Sequence, residues 1–502
     1  MKPHKQFTVA NGCQLTLAVV FLLGILLLFL ADADSRTLAS HKTGLRAGAD
    51  AAPAGGQQEV WDSRYNGPGN GDDAPIAIGV DRSGNVYVTG SSLGTALPDY
   101  DYATVKYDSA GQEQWVRRYG GAGNDSALAM IVDASGNVYV TGGVYDPDTD
   151  YDFVTIKYSA AGEQQWVAIF NGPGNGADAG KTIAVDGAGN VYVAGYTTAA
   201  TGDLDYATIK YDSSGNQFWV AYYNASPNSN DNPAALAVDD SGNVYVTGGS
   251  TGQAVTPHFA TVKYSSDGMQ QWVAEYTGPG NYDDAKAIAI DKAGSAYVTG
   301  SSMGANGYFD YATIKYDSFG QQGWVQRYNG TGDNDDFAVA LRLDSATNVI
   351  VTGQSYGPKN LDFATVKYDS EGQQQWTARF DAGFDDFANS VATDGAGNVY
   401  VTGGSVSPDP DFNYNYTTIK YDPAGAMQWT VAYDAPAHLD DSGTAITVDD
   451  SDNVYVTGGS VSSENGTDYV TIKYSQSGSP TPTPAPRATP TPRPRPTARP
   501  RP

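Results

Sequence analysis

The sequence predicts an all-β fold: a single eight-bladed β-propeller of four-stranded antiparallel blades, with the ring closed by the N-terminal strand completing the last blade. Three observations predict it. The eight tryptophans (Trp61, Trp115, Trp166, Trp219, Trp272, Trp324, Trp376 and Trp429) hold one repeated position, at spacings of 51 to 54 residues. A unit of about 50 residues suits a propeller blade and is too long for most solenoid repeats. The repeated region also opens with a lone strand of the fourth type at residues 61–65 and closes with a three-strand unit at 444–474, so the first can complete the last.

The first unit shows the four strands. Residues 76–81 (IAIGVD) form a short strand, 82–84 a tight turn, and 85–90 (NVYVTG) the second strand. After a longer loop, 102–108 (YATVKYD) are the third, and after a second tight turn 114–119 (QWVRRY) are the fourth. Alternation of branched or aromatic residues with small or polar ones has the period of two that strands require. In the first strand Ile78 and Val80 oppose Ala77 and Gly79, and Ile288 and Ile290 oppose Ala287 and Ala289. A strand polar on neither face is buried on both. This strand is therefore expected innermost, where crowding at the axis favours small residues.

Composition sets the outer bounds. Tyrosine (35) and glycine (59) are abundant among 502 residues, as turn-rich sheets require. Net charge is −27, and five arginines lie in the last 24 residues, so the rest is more acidic still. Such a body repels nucleic acid and anionic membrane and favours cations, basic partners or neutral ligands. The single cysteine is Cys13, so disulfides and thiolate chemistry are excluded from the repeats.

The two ends read differently. Lys2 and Lys5, the apolar run from Leu15 to Leu30 and the small-x-small Ala31-Asp32-Ala33 mark residues 1–33 as a signal peptide or N-terminal anchor. Either way the body is expected outside the cytoplasm, with membrane contact only through an uncleaved anchor. Residues 34–56 read as a flexible linker, 57–478 as the propeller, and 479–502 as a disordered Pro/Thr/Arg tail. Arg487, Arg493, Arg495, Arg499 and Arg501 give that tail a positive charge suited to anionic envelope polymers.

Stretches such as 183–195 and 391–403, of the AIAVDGAGNVYVTG type and preceded by GxGNxDD loops, resemble the bacterial β-propeller repeat family known as SBBP. The resemblance covers about 420 residues. It implies the propeller fold and an extracellular or surface location, and no established reaction. The Asp-x-x-Gly-x-x-x-Trp turn (Asp108, Gly111, Trp115) is also similar to the tryptophan-docking turn of quinone-dependent alcohol dehydrogenases.

Strand direction puts the tight turns on one face of the disc and the long loops on the other, and the long-loop face is the candidate binding surface. An aspartate recurs there in every unit: Asp73, Asp125, Asp178, Asp231, Asp283, Asp336, Asp386 and Asp441. Encircling the channel mouth, these carboxylates would suit Ca²⁺, which takes oxygen ligands. The competing expectation is that each caps its own turn, and repetition in every blade favours it. Eight repeated lysines (Lys106 to Lys473) are expected to snorkel between blades or to pair with a repeated aspartate. Departures from the repeat are the sharper clues to a ligand site. His258 stands where other units have Asp, His438 lies beside Asp440 and Asp441, and Arg342 sits on an inner strand in the unit where Ile350 replaces Tyr. A buried arginine there would need an acid partner.

These readings favour a non-catalytic binding or scaffold module whose partner is a glycan or a protein at the cell surface. A secreted polysaccharide hydrolase or lyase is the second class, and predicts a carboxylate pair or a His–Asp set converging at the channel. A quinone-dependent dehydrogenase is the third. The uniform repeats argue against it.

Overall fold

The computed structural model describes residues 57–476 apart from 96–98, 122, 227–228, 253–255, 408–411 and 464–465. The expected signal, linker and tail lie outside the described residues. Strands β1 to β32 run in chain order and form eight four-stranded antiparallel sheets. Blade 1 is β2 (Asp73–Val80), β3 (Val86–Leu93), β4 (Tyr100–Tyr107) and β5 (Glu113–Tyr119). Blades 2 to 7 repeat this order, and they begin at Ser126, Ala179, Asp231, Asp283, Asp336 and Asp386. Blade 8 holds β30 (Asp441–Val448), β31 (Val454–Ser462) and β32 (Gly466–Gln476), and β1 (Gln57–Tyr65) supplies its fourth strand. Asp62 faces Ile472 and Tyr65 faces Tyr469 across that seam. The predicted closure is what the chain does.

The first strand of each blade touches the first strands of both neighbours, so it is innermost, as its small residues imply. It begins three residues earlier than the alternation suggested, because Asp73 itself enters the ladder opposite Ser92. The alternation is interrupted by a bulge between Pro75 and Ala77, which recurs at the same place in every blade.

Two faces of unlike chemistry meet between blades. The aliphatic face of blade 1 (Ile78, Val80, Val86, Val88, Val105) packs on the aromatic face of blade 8 (Trp61, Tyr65, Tyr455, Tyr469). The other described cores repeat the pairing, for example Val191, Val193 and Ile209 against Tyr139, Phe153 and Trp166. Val86, Val88 and Tyr455 are fully enclosed. Burying groups of this size contributes roughly 1.5–3 kcal/mol each.

A polar stitch repeats at each junction. Trp115 Nε1 donates to the Ala160 carbonyl in the third-to-fourth-strand turn of the next blade at 3.2 Å, and Lys106 Nζ donates to the same oxygen at 2.8 Å. Lys106 lies over the Tyr87 ring, 5.1 Å from its centre. The Tyr87 hydroxyl donates to Asp81, which caps its own turn by accepting from Ser83 N and Asn85 N. Gly162 has φ +79°, and a Cβ there would come within 2.8 Å of the Trp115 ring, so both conformation and contact demand glycine. The lysines thus snorkel to a neighbouring carbonyl, one of the two expectations. Blade 6 takes both. Ile350 cannot donate to Asp344, and Lys367 Nζ pairs with that carboxylate at 2.9 Å while also reaching the Pro423 carbonyl at 3.5 Å. At the last junction no tight turn joins the third strand to the fourth, because the fourth is β1. Trp429 and Lys420 donate to the Gln476 side chain there, at 3.5 and 2.8 Å.

A closed ring makes its first strand as important as any other. Trp61 Nε1 donates to Ser109 O at 3.1 Å, as Trp219 donates to Ser266 O in mid-chain. Trp61→Ala and Trp219→Ala are therefore expected to lower unfolding free energy equally, each by about 3 kcal/mol in urea titrations. A Trp61→Ala protein as stable as the parent would mean the ring is open at β1.

Candidate binding surface

The eight aspartates at the start of the innermost strands are completely buried. Each faces the loop that enters its own blade. Asp73 Oδ2 accepts from Gly67 N at 2.6 Å and Oδ1 from Leu93 N at 3.0 Å. Asp125, Asp178 and Asp231 are held alike by Gly121, Gly172 and Ala225, and Asp283, Asp336, Asp386 and Asp441 by Gly278, Gly330, Ala382 and Ala435. They brace the long loops from below, each accepting from its own loop as a cap does.

Their burial costs charge. Desolvation pushes every one of these carboxyls up, Asp125, Asp336 and Asp441 to about 6. Asp386 rises to about 7, because Asp362 and Asp381 add repulsion to burial. These three offer ligand oxygens within 4.8 Å of one another, and among the described residues no other trio of His, Cys, Asp or Glu converges so closely. Arg379 already holds Asp362 at 2.5 Å.

In five blades the acid or amide before the cap ties the loop to the previous blade. Asp72 accepts from Thr467 N, Asn124 from Tyr100 N, Asp335 from Phe309 N, Asp385 from Leu361 N and Asp440 from Tyr414 N, at 2.9 to 3.4 Å. Asp440 is therefore a loop tie. His438 Nδ1 meets Asp434 at 2.7 Å rather than Asp440 or Asp441, and lies exposed at a left-handed φ of +51°.

A set of ion pairs escaped the sequence reading. In blades 1, 5, 6 and 8 an arginine on the fourth strand pairs with an aspartate on the third: Arg118–Asp101 (2.8 Å), Arg327–Asp310 (2.7 Å), Arg379–Asp362 (2.5 Å) and Arg64–Asp468 (2.7 Å). Each guanidinium also donates to a serine hydroxyl beside the cap aspartate (Ser92, Ser302, Ser355 or Ser460) at 2.5 to 2.7 Å. His258 now has an explanation. Its Nε2 lies 3.7 Å from Glu275, which holds the arginine position in blade 4, so the basic and acidic residue types have exchanged places there. Arg342 has no acid partner among the described residues. Its guanidinium donates to the Leu341 carbonyl at 3.1 Å, and desolvation by the protein packed around it draws its pKa down.

One opening on this face, wide to solvent, gathers aromatic and polar side chains. Lys359, Asn360, Gly383, Phe384, Asp385, Val406 and Phe412 line a cavity of about 370 Å³ between blades 6 and 7. Phe384 and Phe412 meet edge to face, 5.3 Å between centres, yet remain 39% and 56% exposed. Exposed aromatic faces beside an amide and a carboxylate suit a ligand with both apolar and hydroxylated surface.

The cap chemistry predicts a pH dependence. A carboxyl whose folded pKa lies above its unfolded value binds more protons when folded, so stability falls as pH rises between the two values. For Asp386 that window runs from about 4 to about 7. Asp386→Asn should remove on the order of 1–2 kcal/mol of the stability difference between pH 5.5 and 7.5. Urea midpoints that shift identically in parent and variant would contradict the assignment.

Five stretches, residues 63–98, 165–201, 219–253, 271–308 and 375–405, match the model of the SBBP β-propeller repeat. Each runs from a fourth strand into the first two strands of the next blade. Over 215 residues the chain is 29% identical to the regulatory protein FlaEY of Caulobacter vibrioides, covering 33% of this chain and 22% of that protein. Over 185 residues it is 28% identical to an uncharacterized WD repeat-containing protein, L264, of Acanthamoeba polyphaga mimivirus, covering 36% of this chain and 10% of that one. The matches span well under two thirds of either relative's length. Among solved structures, the periplasmic gluconolactonase PpgL of Pseudomonas aeruginosa aligns with a TM-score of 0.44 at 12% identity, over 74% of this chain and 97% of that one. Drosophila Plexin A, solved with Semaphorin 1b, aligns at 0.41 and 9% identity, over 83% and 87%. The chain is an eight-bladed propeller, and five stretches of it match the SBBP β-propeller repeat.

Proposed function

We propose that this protein is an exported, non-catalytic binding module that takes a glycan on its long-loop face, in the cleft between blades 6 and 7. The observation that carries the reading is the exposed Phe384–Phe412 pair over a cavity that also presents Asn360 and Asp385. A sugar ring stacks its C–H face on an aromatic and spends its hydroxyls on amide and carboxylate groups. The net charge of −27 disfavours polyanionic ligands. The repeated polar side chains support the same reading, because the cap aspartates, the stitching lysines and the rim arginines are engaged in holding blades and loops.

Export is supported by the basic start, the apolar run of residues 15–30 and the small-x-small Ala31-Asp32-Ala33 that follows it. The arginines of residues 479–502 offer a second, positively charged contact to anionic envelope polymers.

A glycan array probed with the full chain, in Ca²⁺ and in EDTA, tests the proposal. Binding to neutral glycans is expected, and Phe384→Ala with Phe412→Ala should weaken it about tenfold, the loss of one stacking contact worth roughly 1.4 kcal/mol. Binding untouched by that double change would move the site elsewhere, and no binding in either buffer would overturn the glycan reading.

A further inference from the structure

The innermost strands give the axis a charge opposite to that of the body. Beyond the cap aspartates they carry three cations, Lys181, Lys286 and Arg342, and one acid, Asp284. The whole chain has a net charge of −27. The two lysines hold a selected position. Each innermost strand has a bulge, and one residue there drops out of the ladder. That residue is Lys181 in blade 3 and Lys286 in blade 5, and in the other blades it is uncharged. A bulge re-aims its side chain. Blade 4, between the two lysines, has the small Ala234 at this position.

Both lysines meet polar groups at the axial end of blades 4 and 5. Lys181 Nζ donates to Asn232 Oδ1 on the innermost strand of blade 4 at 3.0 Å. Lys286 Nζ pairs with Asp284 at 2.6 Å, and both lie near enough to Lys181 to act on its charge. Asp284 itself turns toward blade 4, where a Cβ on Gly249 would come within 3.2 Å of its Oδ1. The charges do not cancel. Asp284 is taken by Lys286, so Lys181 keeps a neutral partner, and Arg342 donates to a backbone carbonyl. Burial and the Lys286 charge push the Lys181 amine down to about 8. Lys286 and Asn232 keep access to solvent, so small ions can reach this level of the axis. An enclosed cation without a counter-charge is costly. A cleft lined by one sign of charge, with low-dielectric walls, concentrates ions of the other.

We propose that the axial channel is an oxyanion site, where one carboxylate or phosphate group sits between Lys181 and Lys286. Its oxygens would accept from the two ammonium groups and from Asn232 Nδ2, over the gap that Ala234 leaves. Asp284 opposes the anion, and so favours a single compact group over a highly charged one. Arg342 lies three residues past the bulge of blade 6, about 10 Å further along the strand, and adds a second positive charge toward the tight-turn face. The site involves blades 3 to 5 and is separate from the cleft between blades 6 and 7, so either can fail without the other.

Lys181 is its own reporter. A trace of acylating reagent modifies neutral amines, and mass spectrometry of the lysine peptides reads the rate at each one. The full chain is labelled in sodium chloride, acetate or phosphate at equal ionic strength. About 20 mM phosphate or acetate should slow acylation of Lys181 about fivefold relative to chloride, the protection that millimolar affinity gives. The exposed Lys292, in a tight turn, should be unaffected. Protection by phosphate alone would name the group as a phosphate, and protection by acetate alone as a carboxylate. The parent measurement needs no variant to fold. Lys286→Met should remove the protection of Lys181. Equal acylation of Lys181 in all three salts, or protection that survives Lys286→Met, would overturn the proposal.

Discussion

A ring of sheets has no free face, so every blade must fit two neighbours at once. In this protein the fit is an aliphatic face against an aromatic one, stitched by a tryptophan and a lysine that share a carbonyl of the next blade. The rest of the architecture follows from that junction. It fixes the 51-to-54-residue spacing, because the tryptophan must reach the same turn each time. It requires glycine in that turn, where φ is positive and the indole lies against the backbone. It also places the first and last strands in one sheet, since a ring left open would expose one aromatic and one aliphatic face.

The junction divides the disc into two kinds of surface. On the tight-turn face the Asp81-type caps accept from the Tyr87-type hydroxyls, and the stitching lysines donate to a carbonyl of the next blade. The long-loop face is braced by buried aspartates whose carboxyls are pushed up by desolvation, so its loops sit on a costly but repeated foundation. Variation is tolerated above that foundation, where an arginine–aspartate pair can be reversed, as at His258 and Glu275, or removed, as at Ala432 and Asn415. Binding chemistry is therefore sought in the departures, and one of them, the Phe384–Phe412 cleft, lies between blades 6 and 7.

The blades, their order from the axis and the closure were legible in the sequence, because alternation, spacing and the odd strand at each end are local or counting signals. The start of the first strand was less so. Asp73 reads as a loop acid, yet it enters the ladder opposite Ser92, and the bulge after Pro75 interrupts the alternation that would have marked it. The roles of single polar residues were the hardest to read. Asp440 and His438 are neighbours in sequence but turn to different partners, Tyr414 N and Asp434, and His438 itself takes a left-handed φ. The rim pairs left a trace that could have been found: Asp101–Arg118, Asp310–Arg327 and Asp362–Arg379 are each 17 residues apart, and so are His258 and Glu275 with the charges exchanged. Comparing repeats for paired charge changes would have exposed them. Pattern reading within one unit could not.

Hydrogen exchange across the closing seam tests the central claim most directly. If β1 is the fourth strand of blade 8, the amides of residues 59–65 and 467–475 that bond across the seam exchange as slowly as those of the β12 (Leu204–Tyr211) and β13 (Gln217–Tyr223) pair in mid-ring. If residues 59–65 exchange at the rate of an unstructured chain while the mid-ring strands stay protected, the ring is not closed by its own N-terminal strand and this account of the architecture fails.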